Sequence, residues 1–204
     1  CYRVLKNNGL IRIVTPDLQF LTKEYVKQYE RGDFIKANFL SSLMIDQCVR
    51  TVSGGKLFKD LQTIFDSGVI ENIKYVEELV GSEVFKQIEE KQQNTFNKVF
   101  NIIKDDPRSI FLVLQMIRTR VILRFLPKIF VSTNVSKASV GEKHFWIYDF
   151  NYLYENMKKQ GFENISKVEF DSTLHHENIF KRLDIKNSFP RKGIHQLFIE
   201  AKKN

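Results

Sequence analysis

Apolar and polar positions alternate with several different periods along the chain. Tyr2, Val4 and Leu5 recur at helical spacing, with Arg3 and Lys6 on the other side, and predict the last turns of an amphipathic helix. Asn7-Asn8-Gly9 stops it, because Gly and Asn accept the left-handed conformation that ends helices. Leu10, Ile11, Ile13 and Val14 follow as a strand expected to be buried on both faces, as in a parallel sheet covered by helices. Pro16-Asp17 ends that strand, and Asp17 can cap a helix with Leu18, Leu21, Tyr25, Val26 and Tyr29 on one face. Gly32-Asp33 breaks this helix, and a second runs from Phe34 to Val49 with Phe34, Ala37, Leu40, Leu43 and Met44 apolar. Ser53-Gly54-Gly55 is a loop, Leu57 to Phe65 a short amphipathic piece, and 69–104 a polar helical pattern with a break at Gly81.

The second half starts with Asp105-Asp106-Pro107, a helix-opening signal. It leads into a strongly apolar helix, Ser109 to Leu126, which Pro127 ends, and Ser132 to Ser139 reads as a polar loop. Asp149 to Gln160 predicts a helix with Tyr152, Leu153, Asn156 and Met157 inward. A strand over Ile165 to Phe170, a long polar loop from Asp171 to Pro190 and a last strand from Gly193 to Ala201 complete the chain. Helix and strand alternate at both ends, with helices alone between. The fold class is therefore α/β with a large helical insertion: residues 1–31 and 141–204 form one α/β unit, and 32–140 a helical insertion or lid.

Charge adds partner classes to this picture. The formal charge of +8 suits nucleic acid, an anionic membrane surface or acidic substrates, and equally an ordinary basic enzyme. Eighteen Phe with many Lys would fit single-strand stacking, but Phe96 and Phe100 sit at helical core spacing, so core packing is favoured over nucleic acid. The run Ser109 to Leu126 has the length of a membrane span, yet Arg118, Arg120 and Arg124 would each cost about 2.5–3.5 kcal/mol near a bilayer centre. A buried lid helix is the first reading, and a basic helix lying on a membrane surface through 109–126 the second. The expected location is cytoplasmic, with peripheral membrane contact left open. The two cysteines, Cys1 and Cys48, have no metal-ligand neighbours at useful spacing and point to a reducing compartment or unpaired thiols. His175 and His176 are adjacent, which is poor geometry for one ion, so no metal site is expected. Ser53-Gly54-Gly55-Lys56 is a turn and not a Walker loop, since no strand precedes it.

Three stretches carry a resemblance: CYRVLKNNGLIRIVTPDL at residues 1–18, HFWIYDFNYL from His144 to Leu153, and KKQGFENI from Lys158 to Ile165. Together they resemble the C-terminal part of class I S-adenosylmethionine-dependent methyltransferases, in the branch that modifies sugars or other small metabolites. The likeness covers roughly 1–31 and 142–204, with Asn7-Asn8 where the family usually has Pro-Gly. It implies that the first strand is the fifth of a Rossmann-like sheet. The chain would carry three mixed strands of that sheet, the last lying antiparallel between the other two. The cofactor's glycine-rich loop would lie upstream of residue 1, so that this chain alone is catalytically silent.

Ligands of open α/β sheets sit at the carboxyl ends of the parallel strands. On that topology Pro16-Asp17, residues 142–149, the loop 171–190 and both ends of the insertion converge on one rim, with His144, His175, His176 and His195. The resemblance implies His144 as general base or substrate hydrogen-bonder, the alternative being that His144 and Trp146 lock the loop onto the lid. It implies substrate contacts from Asp17, Trp146 and Tyr148, while Asp149 is either a helix cap or a substrate ligand. The implied function is methyl transfer from S-adenosylmethionine to a small molecule or sugar. The alternative is a non-enzymatic basic helical module that binds a membrane surface or an acidic partner.

Overall fold

The computed structural model describes residues 1–81, 109–135, 144–174, 180–186 and 189–204. A short 3-10 turn, Tyr2–Val4, leads to Asn8, which takes a positive φ of 61°, and then to strand β1, Leu10–Pro16. Four helices follow: α1 Leu18–Glu30, α2 Phe34–Val49, α3 Gly55–Asp66 and α4 Ile70–Val80. Then come α5 Ser109–Phe125, α6 Lys128–Asn134, α7 Phe150–Lys159 and strand β2 Phe162–Val168. The chain closes with α8 Lys181–Asp184, β3 Ile185–Lys186, β4 Phe189–Pro190 and β5 Gln196–Lys203.

The last strand lies in the middle of a three-stranded sheet of order β1-β5-β2. It runs antiparallel to both neighbours, with Leu10 opposite Lys202, Arg12 opposite Glu200, and Pro16 opposite Gln196. This is the strand order and direction expected for the final strand. Two expectations need correction. Both ladders are antiparallel, so the described strands are not mixed in their pairing, and the parallel bridge here is a single one, Asp17 to Tyr148. β1 is also half-buried along its whole length, because in the described sheet it is an edge strand paired on one side to β5. The strand buried throughout its middle is β5, from Leu197 to Ala201. β3 and β4 make a two-stranded ladder inside the stretch expected to be a polar loop.

Two apolar cores result. Leu153 and Met157 of α7 pack with Phe162, Leu197, Ile199 and Ala201 on one face of the sheet. Leu21, Phe39, Leu40, Leu43, Leu57, Leu61, Ile64, Val76, Leu79 and Val80 form the second core among α1 to α4. Each large side chain buried this way contributes about 1.5–3 kcal/mol relative to exposure. Val26 and Tyr29 are exposed, since α1 turns Leu21, Phe20 and Tyr25 toward the helical core, and Phe34 is exposed because α2 buries Phe39, Leu40 and Leu43 there. Tyr29 instead lies against the rings of Tyr25 and Phe34. Tyr152 and Asn156 likewise face out, because α7 covers the sheet with Phe150, Leu153 and Met157. The polar residues from Ser132 continue α6 to Asn134, where a loop was expected.

Helix starts are tied by carboxylates. Asp33 Oδ1 accepts from Lys36 N at 3.1 Å, capping α2. Asp46, on α2, reaches across to Lys56 N at 2.6 Å and so caps α3 from outside. Gly55 is required there: its φ is +56° and a Cβ would overlap the Asp46 carboxylate. The end of α4 docks beneath the lead into β5, where Ile194 N donates to Glu78 O and Gln196 Nε2 to Leu79 O.

Candidate functional site

The C-terminal end of β1 forms the centre of the rim. Asp17 is 4% exposed and joins three elements. Its Oδ1 accepts from Gln19 N at 3.0 Å and Phe20 N at 3.2 Å, which caps α1, and its Oδ2 receives Lys167 Nζ of β2 at 2.8 Å. The chain entering α7 runs alongside: Leu18 N donates to Tyr148 O at 3.0 Å, within the parallel bridge of Asp17 and Tyr148. Asp149 then caps α7 by accepting from Tyr152 N at 2.7 Å. Of its two expected roles, the helix cap is the one with an observed bond.

Aromatic rings flank this junction. Tyr152 lies 5.6 Å from Tyr148 and 6.2 Å from Trp146, centroid to centroid, so Trp146 connects to Tyr148 through Tyr152. Trp146 is 59% exposed, while Tyr148 is half-buried and packs on the sheet core. Exposed Trp146 and Tyr152 carry apolar rings with polar tips, a chemistry that suits the C–H face of a small polar molecule.

His144 is anchored through its backbone, whose N–H donates to Gln47 O at 2.9 Å near the end of α2. Its imidazole is half-buried. Burial, together with the positive charges of Arg50 and Lys192, lowers its pKa below the ordinary 6.5. The ring is therefore neutral at neutral pH and can accept a proton or a hydrogen bond. His195 sits just ahead of β5, beside the Pro16–Gln196 pair, and stacks on Phe20 at 4.3 Å with the rings 8° apart. Burial lowers its pKa too, against the raising pull of Glu78, Glu24 and Glu169. Asp17, Tyr148, Lys167 and His195 thus meet at the sheet end, whereas His144 is held against α2 and Trp146 stands outward. His175 and His176 lie outside the described residues.

A buried ion cluster supports the rim from beneath. The Arg12 side chain is 2% exposed; its Nη1 donates to Glu200 Oε1 at 2.6 Å and to Ser172 O at 2.7 Å. Nη2 donates to Glu169 O and Phe170 O, and Nε lies 2.7 Å from Asp184 Oδ2, an ionic contact off the hydrogen-bond axis. The guanidinium also stacks on Phe198 and Phe180, 5.1 and 5.6 Å from the ring centroids. Glu200 Oε2 accepts from Thr173 Oγ1 and Leu174 N. The cluster pins the segment after β2, and α8, to the sheet. Burial alone would raise the Glu200 pKa, but the bonds from Leu174, Arg12 and Thr173 outweigh it and hold the carboxyl below its usual value. Asp184 moves the other way, raised by burial and by neighbouring Glu200 against the pull of Arg12.

Sequence reasoning missed Lys167, the His195–Phe20 stack and this cluster. Arg12 and Glu200 did carry a signal, as lone charges in the otherwise apolar runs Leu10–Val14 and Leu197–Ala201. Among the described residues, no group of three or more His, Cys, Asp or Glu is placed to hold a metal ion. None of the described helices is long and apolar enough to cross a membrane. Comparisons with protein-family models, curated proteins and solved structures returned no match.

Proposed function

We propose that this chain is the C-terminal, substrate-side part of an S-adenosylmethionine-dependent methyltransferase acting on a small molecule or sugar. One observation carries the reading: a final strand lies between two earlier strands, antiparallel to both, with the His144–Asp149 segment laid along the end of the first. The place and direction of the final strand are those the resemblance implies, while the mixed pairing it also implies is not among the described ladders.

The described residues do not themselves fit the cofactor. β1 passes directly to α1 through Pro16-Asp17 without a glycine-rich turn, and the Asp17 carboxylate is already engaged by α1 and Lys167. On this reading cofactor binding belongs to sequence before residue 1, and the residues here hold and orient the acceptor. Trp146 and Tyr148 offer ring faces to the acceptor's apolar side. Neutral His144 takes the proton of a poor nucleophile such as a hydroxyl. Asp17 fixes the junction of β1, β2 and α1, and an acceptor hydroxyl would have to displace Lys167 to reach its Oδ2.

The coding sequence preceding Cys1 tests this. The expected finding is a strand, a glycine-rich turn and a helix, with an acidic residue at the end of the next strand. A reading frame that opens at Cys1, or an upstream segment without that pattern, would overturn the reading.

A further inference from the structure

Helix α5 has apolar side chains on two sides. On one side Leu123, with Leu126 just beyond the helix, lines a cavity of about 460 Å³ closed by Thr51, Val52, Val131 and Val135, with Arg124 and Lys128 at its wall. On another side Leu114, Ile117, Val121 and Phe125 recur three or four residues apart, and all four are exposed, Phe125 at 84%. Exposed Ile122 widens the stripe. Contiguous apolar surface of this kind marks an interaction site. The charge beside it identifies the partner. Residues 109–135 contain Arg118, Arg120, Arg124 and Lys128 and no acidic residue, and Arg118, Arg124 and Lys128 are exposed. Long basic side chains beside an apolar stripe suit a helix lying in the plane of an anionic lipid surface, where the stems stay in the apolar zone and the heads reach phosphate. An acidic protein groove would satisfy the charges but would leave an 84% exposed Phe125 needing an apolar socket of its own.

We propose that α5 docks the protein on an anionic membrane surface, its Leu114–Phe125 stripe entering the acyl boundary while Arg118, Arg124 and Lys128 meet lipid phosphates. The proposal rests on α5 and the start of α6, where Lys128 lies, and is independent of methyl transfer.

Co-sedimentation of the chain with vesicles tests it, comparing equal parts phosphatidylcholine and phosphatidylglycerol with phosphatidylcholine alone. Binding to the anionic vesicles is expected, weakening as salt is raised. Arg118→Gln with Arg124→Gln should lower the partition coefficient about thirtyfold, from the loss of two charges near the surface. Val121→Asp with Phe125→Asp should abolish binding while circular dichroism and the melting temperature stay at parent values, since both positions are exposed. Three results would each overturn the proposal. They are no sedimentation with anionic vesicles, equal binding to both vesicle types, and a vesicle-independent dimer in analytical ultracentrifugation that Phe125→Asp dissolves.

Discussion

Replacing Glu200 with Leu is the sharpest probe of how the rim is supported. The Glu200 carboxylate is fully buried and accepts bonds from Arg12 Nη1 at 2.6 Å, Thr173 Oγ1 at 3.0 Å and Leu174 N at 3.0 Å. Leu174 is exposed and can rebind water, so the main cost falls on Arg12. Among the described residues, a guanidinium 2% exposed would keep only Asp184 as its counter-charge. Breaking a buried pair from one side costs about 3–5 kcal/mol. Because Arg12 retains three carbonyl acceptors, the lower end applies, about 3 kcal/mol. For a chain of this size that is about 6–12 °C in melting temperature. Arg12→Leu should cost more, about 5 kcal/mol, because it orphans Glu200 and those carbonyls at once. The double variant should cost clearly less than the sum of the two singles. Urea denaturation followed by circular dichroism measures all three. A Glu200→Leu protein within about 1 kcal/mol of the parent, or strict additivity in the double, would refute the cluster as the tie between β1, β5 and the segment after β2.

Three further outcomes are expected. Because the folded pKa values of His144 and His195 lie below 6.5, the unfolded chain takes up protons first as pH falls. Unfolding free energy should then be insensitive to these groups above their ordinary value and decline below it. Replacing both with Gln should flatten that decline in melts across pH, and an unchanged slope would contradict the assignment. Gly81→Ala should cost about 3 kcal/mol, because φ is +83° with ψ 161° and a Cβ would meet the Arg191 carbonyl and Gly193 N. Gly68→Ala, with φ +68° and open space around it, should cost only about 1–2 kcal/mol, and equal losses in denaturant midpoints would refute the close contact. Asp17→Ala should lose about 1–2 kcal/mol, from a helix cap plus an ion pair with a partly exposed lysine, while Asp17→Asn keeps most of the cap. Thermal melts in which Asp17→Asn is as damaging as Asp17→Ala would show that the charge matters more than the cap.

What could be read from the sequence follows from local signals. α2 was legible to the residue because Gly32 stops one helix, Asp33 caps the next, and apolar positions repeat between them. Asp149 as a possible cap and Pro127 as a stop were legible for the same reason. Which apolar residues face inward was less so. Val26 and Tyr29 match the helical period, but the side of α1 that is covered depends on where α2 lies, and that is tertiary information. The pairing of β3 with β4 was not legible, because strands of two residues carry no periodic signal. At the rim, Asp17 as a helix cap was legible from the residues around it, but its bridge to Tyr148 and the Leu18 N–H bond to the Tyr148 carbonyl were not. Lys167 and Asp17 lie 150 positions apart, and Arg12 and Glu200 188 apart, so their pairing depends on strand register.

The most direct measurement is an S-adenosylmethionine titration, by calorimetry, of the product of the complete reading frame beside residues 1–204 alone. If the chain is the substrate side of a methyltransferase, the complete product binds the cofactor and residues 1–204 do not. A complete product that fails to bind, or a reading frame that adds nothing before Cys1, would contradict the methyltransferase reading and leave α5 as the place to look for function.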